Sequence, residues 1–146
     1  FHTVQYDIFD VHDYEQDAEK LKTYYSELDK NILNDQIERN PLYCGRQHYN
    51  GEQVFVSEYG GIKWDESADD SWGYGNAPKT REEFLKRFKD LTEVLMSNKK
   101  VFAICYTQLY DVEQECNGLM TYDRKMKFDA EYFRNVLLQK AAIEEQ

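Results

Sequence analysis

Three short apolar runs recur along the chain at nearly even spacing. They are Tyr6-Asp7-Ile8-Phe9-Asp10-Val11, Val54-Phe55-Val56-Ser57 and Val101-Phe102-Ala103-Ile104-Cys105-Tyr106. The second and third are continuous enough to predict strands covered on both faces, as parallel strands are. Each run leads into a polar loop and then into a segment with helical periodicity. After the first, His12 to Asp17 is polar, and Ala18, Leu21, Tyr25, Leu28 and Ile32 fall on one face of a helix. The second run ends at Glu58, and Gly60-Gly61 opens a long loop over 59–79 that is rich in Gly, Asp and Trp. The next helix is the clearest in the chain: Pro78 precedes it, Thr80 and Glu83 have capping-box spacing, and Phe84, Phe88, Leu91 and Leu95 form its apolar stripe. Beyond the third run lie a loop over 107–127 and a last helix from about Asp129 to Ala142, expected to bury Phe133, Leu137 and Ala141.

Strands alternating with amphipathic helices predict an α/β fold with a parallel sheet and right-handed crossovers. Long loops follow the strands, which is the habit of a (β/α)8 barrel, whose active site is built on that face. Three units cannot close a barrel of eight strands and about 250 residues. The chain is therefore either a small open sheet or the end of a barrel whose beginning lies elsewhere. It opens on Phe1 rather than Met, which favours a piece of something longer. Such a piece leaves two unpaired sheet edges, and alone it is expected to bury them by dimerising, swapping elements or rearranging.

The 146 residues suffice for one domain with a real core, spanning 1–146. The net charge of −10 argues against nucleic acid or an anionic membrane surface as partner, since both would repel the chain. No apolar run approaches membrane-spanning length. Cys44, Cys105 and Cys116 are odd in number and lack CxxC spacing. They suggest neither a disulfide framework nor a zinc site, and point to a reducing, cytoplasmic setting. Aromatic residues reach 15%, enough to supply flat surfaces for stacking on sugar rings, although tyrosines are also ordinary core material.

Glu58 sits where a buried strand empties into a loop, the position where ligands bind in α/β folds. An acid there must be hydrogen-bonded or have its ionisation shifted. The bland alternative is that it caps a helix or faces water. Around it, the strand ends contribute His12, Asp13, Tyr14 and Glu15, then Tyr59 and Trp64, then Tyr106, Gln108, Asp111, Glu113, Gln114 and Asn117. Carboxylates, amides and aromatic rings together are the inventory of a carbohydrate site. Phosphate-binding glycine loops and the G-x-S-x-G of esterases are absent. The acidic run Asp65 to Asp70 lacks the pattern of a calcium loop and reads as a solvated loop. His12 and His48 are too isolated for a metal site, so His12 reads as a hydrogen-bonding wall residue. No metal and no cofactor is called for.

Three groups of residues together resemble glycoside hydrolase family two, the β-galactosidase and β-glucuronidase relatives. They are Ser57-Glu58-Tyr59-Gly60-Gly61-Ile62-Lys63-Trp64, then Asp69-Asp70-Ser71-Trp72-Gly73-Tyr74-Gly75, and Cys105-Tyr106-Thr107-Gln108-Leu109 leading to Asp111-Val112-Glu113-Gln114-Glu115 and Asn117-Gly118. Asp10 to Asp17 looks like the sixth strand of that family's barrel with its loop, so the likeness covers nearly the whole chain. The resemblance implies strands six to eight of a (β/α)8 barrel and a retaining mechanism. Glu58 takes the place of the nucleophile, and Tyr14 that of a tyrosine holding it by a hydrogen bond. Tyr106 stands where many members have a Trp flooring the sugar subsite. Gln108 and Asp111 would contact substrate, alongside His12 as the wall residue read above. The family's acid/base Glu belongs to an Asn-Glu pair on strand four, and this chain has no Asn-Glu dipeptide. Retaining hydrolysis needs that second carboxyl about 5–5.5 Å from the nucleophile.

The leading expectation is thus part of a retaining exo-β-glycosidase, acting on β-galactosides first among candidates, with the isolated chain inactive and the rest of the barrel as its partner. A non-catalytic carbohydrate-binding fragment and a small α/β interaction module with a structural Glu58 are the alternatives.

Overall fold

In the computed structural model the described residues are 7–33, 49–65 and 70–145, with side chains described outside 31–33. The Ile32 side chain, Cys44, His48 and the acidic stretch over 66–69 lie outside what is described. Strands β1 (Ile8–Asp13), β2 (Gln53–Gly60) and β3 (Val101–Thr107) form one parallel sheet in the order β1-β2-β3. The chain is therefore mixed α/β with an open three-stranded sheet.

Two strand boundaries differ from the sequence reading. β1 begins at Ile8 and runs on through His12 and Asp13, because both find partners on β2: His12 opposite Glu58 and Asp13 opposite Tyr59. β2 likewise continues past Ser57 to Gly60, so Glu58 lies within the ladder rather than beyond it. Polar residues can occupy strand ends when neighbouring strands satisfy their backbone groups, and local propensity does not reveal that pairing.

One face of the sheet is sealed by helices α1 (Ala18–Ser26), α3 (Arg81–Met96) and α4 (Ala130–Leu137). Phe9, Val11, Val54, Val56, Tyr59 and Val101 point into this layer and are buried. Asp17 caps α1 by accepting from the backbone N–H groups of Glu19 and Lys20. The expected long first helix breaks at Glu27, and its apolar stripe resumes in α2 (Leu28–Leu33), with Leu21, Tyr25 and Leu28 buried. Thr80 caps α3 by accepting from Glu83 N at 3.2 Å, while Glu83 accepts from Lys79 N, one residue before the cap, at 2.6 Å. Phe84, Phe88, Leu91 and Leu95 are buried along α3 as the stripe predicts, and Thr92 joins them. The last helix is shorter than expected. It buries Phe133 and Val136, an i, i+3 pair, while Leu137 is 44% exposed and Ala141 lies past the helix end.

The other face of the sheet corrects the expectation of strands covered on both sides. Ile8 is 45% and Phe102 39% exposed, and Asp10 and Cys105 are also exposed. Phe55 is half-buried, its ring centroid 5.9 Å from that of Phe102. Among the described residues no helix is long and apolar enough to cross a membrane.

Candidate functional site

The carboxyl ends of the three strands converge on Glu58. Val56 and Tyr59 both face the helix layer although an even number of residues separates them, which regular alternation forbids. The ladder between β2 and β3 is irregular across this interval, and that between β1 and β2 shifts register between Val11 and His12. Such irregularities re-aim side chains. Here they leave Glu58 on the open face beside His12 and the loop after β1.

The Tyr14 hydroxyl donates to Glu58 Oε2, and His12 Nδ1 lies 3.3 Å from the same oxygen. Among the described residues Oε1 has no hydrogen-bond partner. Both side chains stay accessible, His12 at 31% and Glu58 at 40%, so a ligand can reach the carboxylate. Burial raises the Tyr14 phenol well above its ordinary value, and the bond to Glu58 raises it further. Tyr14 thus remains a proton donor to the carboxylate at any neutral pH. The side chains of Thr107, at the end of β3, and Tyr74 also meet its hydroxyl.

Tyr14 is held from behind. Its ring stacks on Tyr74 with centroids 3.5 Å apart and planes within 5°. The two glycines that follow Glu58 make this arrangement fit. Both have positive φ, and a Cβ on Gly61 would collide with Tyr74 and approach Tyr14 to 3.1 Å, while one on Gly60 would collide with the Tyr106 ring. Gln16 ties the two loops together: its Nε2 donates to Gly60 O at 2.5 Å and to Tyr14 O at 3.1 Å. Arg87 of α3 anchors the far side by donating to Asn76 O at 2.7 Å.

The remaining residues singled out from the sequence are placed differently. Tyr106 turns toward the helix layer, edge-on to Tyr59 and Phe88, with its hydroxyl accepting from Ile62 N at 3.2 Å and donating to Asn117 O at 3.4 Å. Gln108 is half-buried; its carbonyl accepts from Leu119 N, and its Nε2 has no partner among the described residues. Asp111 is 7% exposed, and its Oδ1 accepts from Gly118 N at 2.9 Å and Lys127 Nζ at 2.7 Å. Trp64 packs against Phe84 and Phe128 in the core. Glu15 turns back on its own loop to accept from Gln16 N and Asp17 N, and Glu113 is exposed in a turn.

A cavity of about 670 Å³ lies between Trp64, Arg81, Asp111, Cys116, Tyr122 and Lys127, and it does not reach Glu58, His12 or Tyr14. A buried ion pair, Asp111 with Lys127, stands at the wall of this cavity. Among the described residues no cluster of His, Cys, Asp and Glu is placed to hold a metal ion.

Tyr74, Gln16 and Thr107 belong to the site, yet sequence reasoning did not select them. Tyr74 is remote from every strand end in the chain. Its one sequence signal was membership of the Asp69 to Gly75 run, which says nothing about stacking on Tyr14. Sequence comparison adds no identity: no family model matches this chain, and no curated protein matches it. Its character therefore rests on the geometry, an accessible carboxylate at the end of the central parallel strand, held through one oxygen by a tyrosine, with a histidine nitrogen 3.3 Å from the same oxygen.

Proposed function

We propose that this chain is the last three βα units of a (β/α)8 barrel belonging to a retaining β-glycosidase, with Glu58 as its nucleophile. One observation carries the reading: Tyr14 donates to one oxygen of Glu58 with His12 beside it, and the other oxygen of this accessible carboxylate has no hydrogen-bond partner among the described residues. A nucleophilic carboxylate needs one oxygen oriented by donors and the other free to meet the anomeric carbon. The sheet supports the same reading. Its uncovered face carries Ile8, Phe55 and Phe102 where the inward residues of further barrel strands would pack.

In this reaction Glu58 attacks the anomeric carbon as the bond to the leaving oxygen breaks. A second carboxyl, supplied by another strand of the barrel, gives its proton to that oxygen. The same group then removes a proton from water, which attacks the anomeric carbon and releases the Glu58 carboxylate. Tyr14 orients Glu58 before attack and, still protonated, donates again to the carboxylate when it is released. β-Galactosides are the substrate class that the resemblance to family two favours. Tyr106 and Asp111 support the loops that shape the site, and His12 lies at its wall.

The test uses the full polypeptide that carries these strands. A 2-deoxy-2-fluoro glycoside with a good leaving group should trap the intermediate on Glu58, located by peptide mass mapping. Label on another residue, or unchanged turnover in Glu58→Gln, would overturn the nucleophile assignment.

A further inference from the structure

We propose that Trp72 is the stacking platform for the second pyranose ring of the substrate, the ring next to the one that reacts at Glu58. The inference rests on the glycosidase reading above and specifies where the rest of the saccharide lies. A single exposed aromatic side chain is ordinary on a protein surface and would carry nothing alone. Trp72 is set apart by what holds it and by what it adjoins.

Its backbone is clamped on both sides. Trp72 N donates to Gln114 O at 2.8 Å, and Trp72 O accepts from Cys116 N at 2.9 Å, which docks it onto the loop after β3. Two residues on, Tyr74 N donates to Gly61 O at 2.8 Å, which docks it onto the turn after Glu58. The segment is thus an extended strap laid between the two loops. In extended chain, residues two apart share a side. Trp72 and Tyr74 meet on that basis, ring centroids 6.0 Å apart at 74°.

Tyr74 in turn stacks on Tyr14, and Tyr14 holds Glu58. The three rings therefore form a continuous aromatic wall that begins at Tyr14, the residue bonded to Glu58, and ends at Trp72. Only its outer end is open: Trp72 remains 47% exposed. An indole on a fixed backbone loses little freedom when a ligand covers it, which favours binding. A pyranose presents an apolar face of C–H groups suited to such a ring. The first ring of a β-linked saccharide occupies the space at Glu58, and the next then falls along this wall.

The experiment compares kcat/KM in the full polypeptide for β-linked disaccharides and for the glycosyl fluoride of the same reacting sugar, which has no second ring. In Trp72→Ala the ratio of disaccharide to fluoride should fall on the order of tenfold, as stacking energies of this size imply. Trp72→Phe should recover part of that ratio, and its thermal midpoint controls for folding. An unchanged ratio overturns the proposal, whether both substrates suffer equally or neither does. Glu58→Gln should instead abolish turnover of both, so the two readings fail separately. If the polypeptide hydrolyses no glycoside, calorimetric titration with the same disaccharides decides: binding lost in Trp72→Ala sustains the platform, and no binding by the unaltered protein overturns it.

Discussion

Tyr14, just beyond the end of β1, reaches across to donate its hydroxyl proton to Glu58 on β2. The bond crosses between neighbouring parallel strands whose paired residues, His12 and Glu58, already stand side by side. It joins a phenol whose ionisation is suppressed to a carboxylate whose other oxygen has no hydrogen-bond partner among the described residues.

Removing the donor alone tests this relationship. Tyr14→Phe keeps the ring and its stack on Tyr74 but deletes the bond. A hydrogen bond to a charged group is worth about 1.5–3 kcal/mol, so kcat/KM should fall about 10- to 100-fold with little change in thermal midpoint. Unaltered kinetics in a normally folded variant would mean that the bond does not orient the nucleophile.

Alkaline titration should expose the buried phenols. Burial is the first cause raising Tyr14, Tyr25, Tyr59 and Tyr106 above the ordinary tyrosine value. Below a pH of about 10 the folded and unfolded chains both keep these protons. Above it the unfolded chain loses them first, so it binds fewer protons than the folded one and stability falls as pH rises. Tyrosinate absorbance from the buried group should therefore appear together with loss of circular dichroism. Full titration of every tyrosine near the ordinary value, with the fold intact, would contradict the burial described.

Asp111 and Lys127 form a buried ion pair, with side chains only 10% and 6% exposed. Lys127 also donates to Trp64 O at 2.7 Å, so the pair ties the loop after β3 to the loop after β2. Leaving one charge without its partner in such a place costs about 3–5 kcal/mol. Asp111→Ala should lower the urea midpoint accordingly, while the double change Asp111→Leu with Lys127→Met should cost much less. Equal losses in the two would show that the pair is not the source of the stability.

How much could be read in the chain depends on whether a feature is local. The α3 stripe and its Thr80 cap are local, since 3.6-residue periodicity and a capping bond involve only near neighbours. The strand cores at 54–56 and 101–104 are equally local. The ends are not. Asp13 and Gly60 belong to strands only because β2 and β3 supply partners. In α4, the packing of Phe133 against Phe88 and against Phe128, itself stacked on Phe84, decides that Val136 turns inward and Leu137 outward. Trp64 read as a site residue because it follows Glu58 closely, yet its ring packs with Phe84 and Phe128.

The sequence by itself determined that strands and helices alternate, that Glu58 stands at the end of an apolar strand, and that glycines follow it. Those properties follow from periodicity and from the steric freedom of single residues. Tertiary structure alone decided which oxygen of Glu58 is held, that Tyr74 backs Tyr14, and that the aromatic wall ends at an exposed Trp72. These depend on register shifts and on loops meeting across the sheet, where residues far apart in sequence come within contact and no local preference encodes the distance.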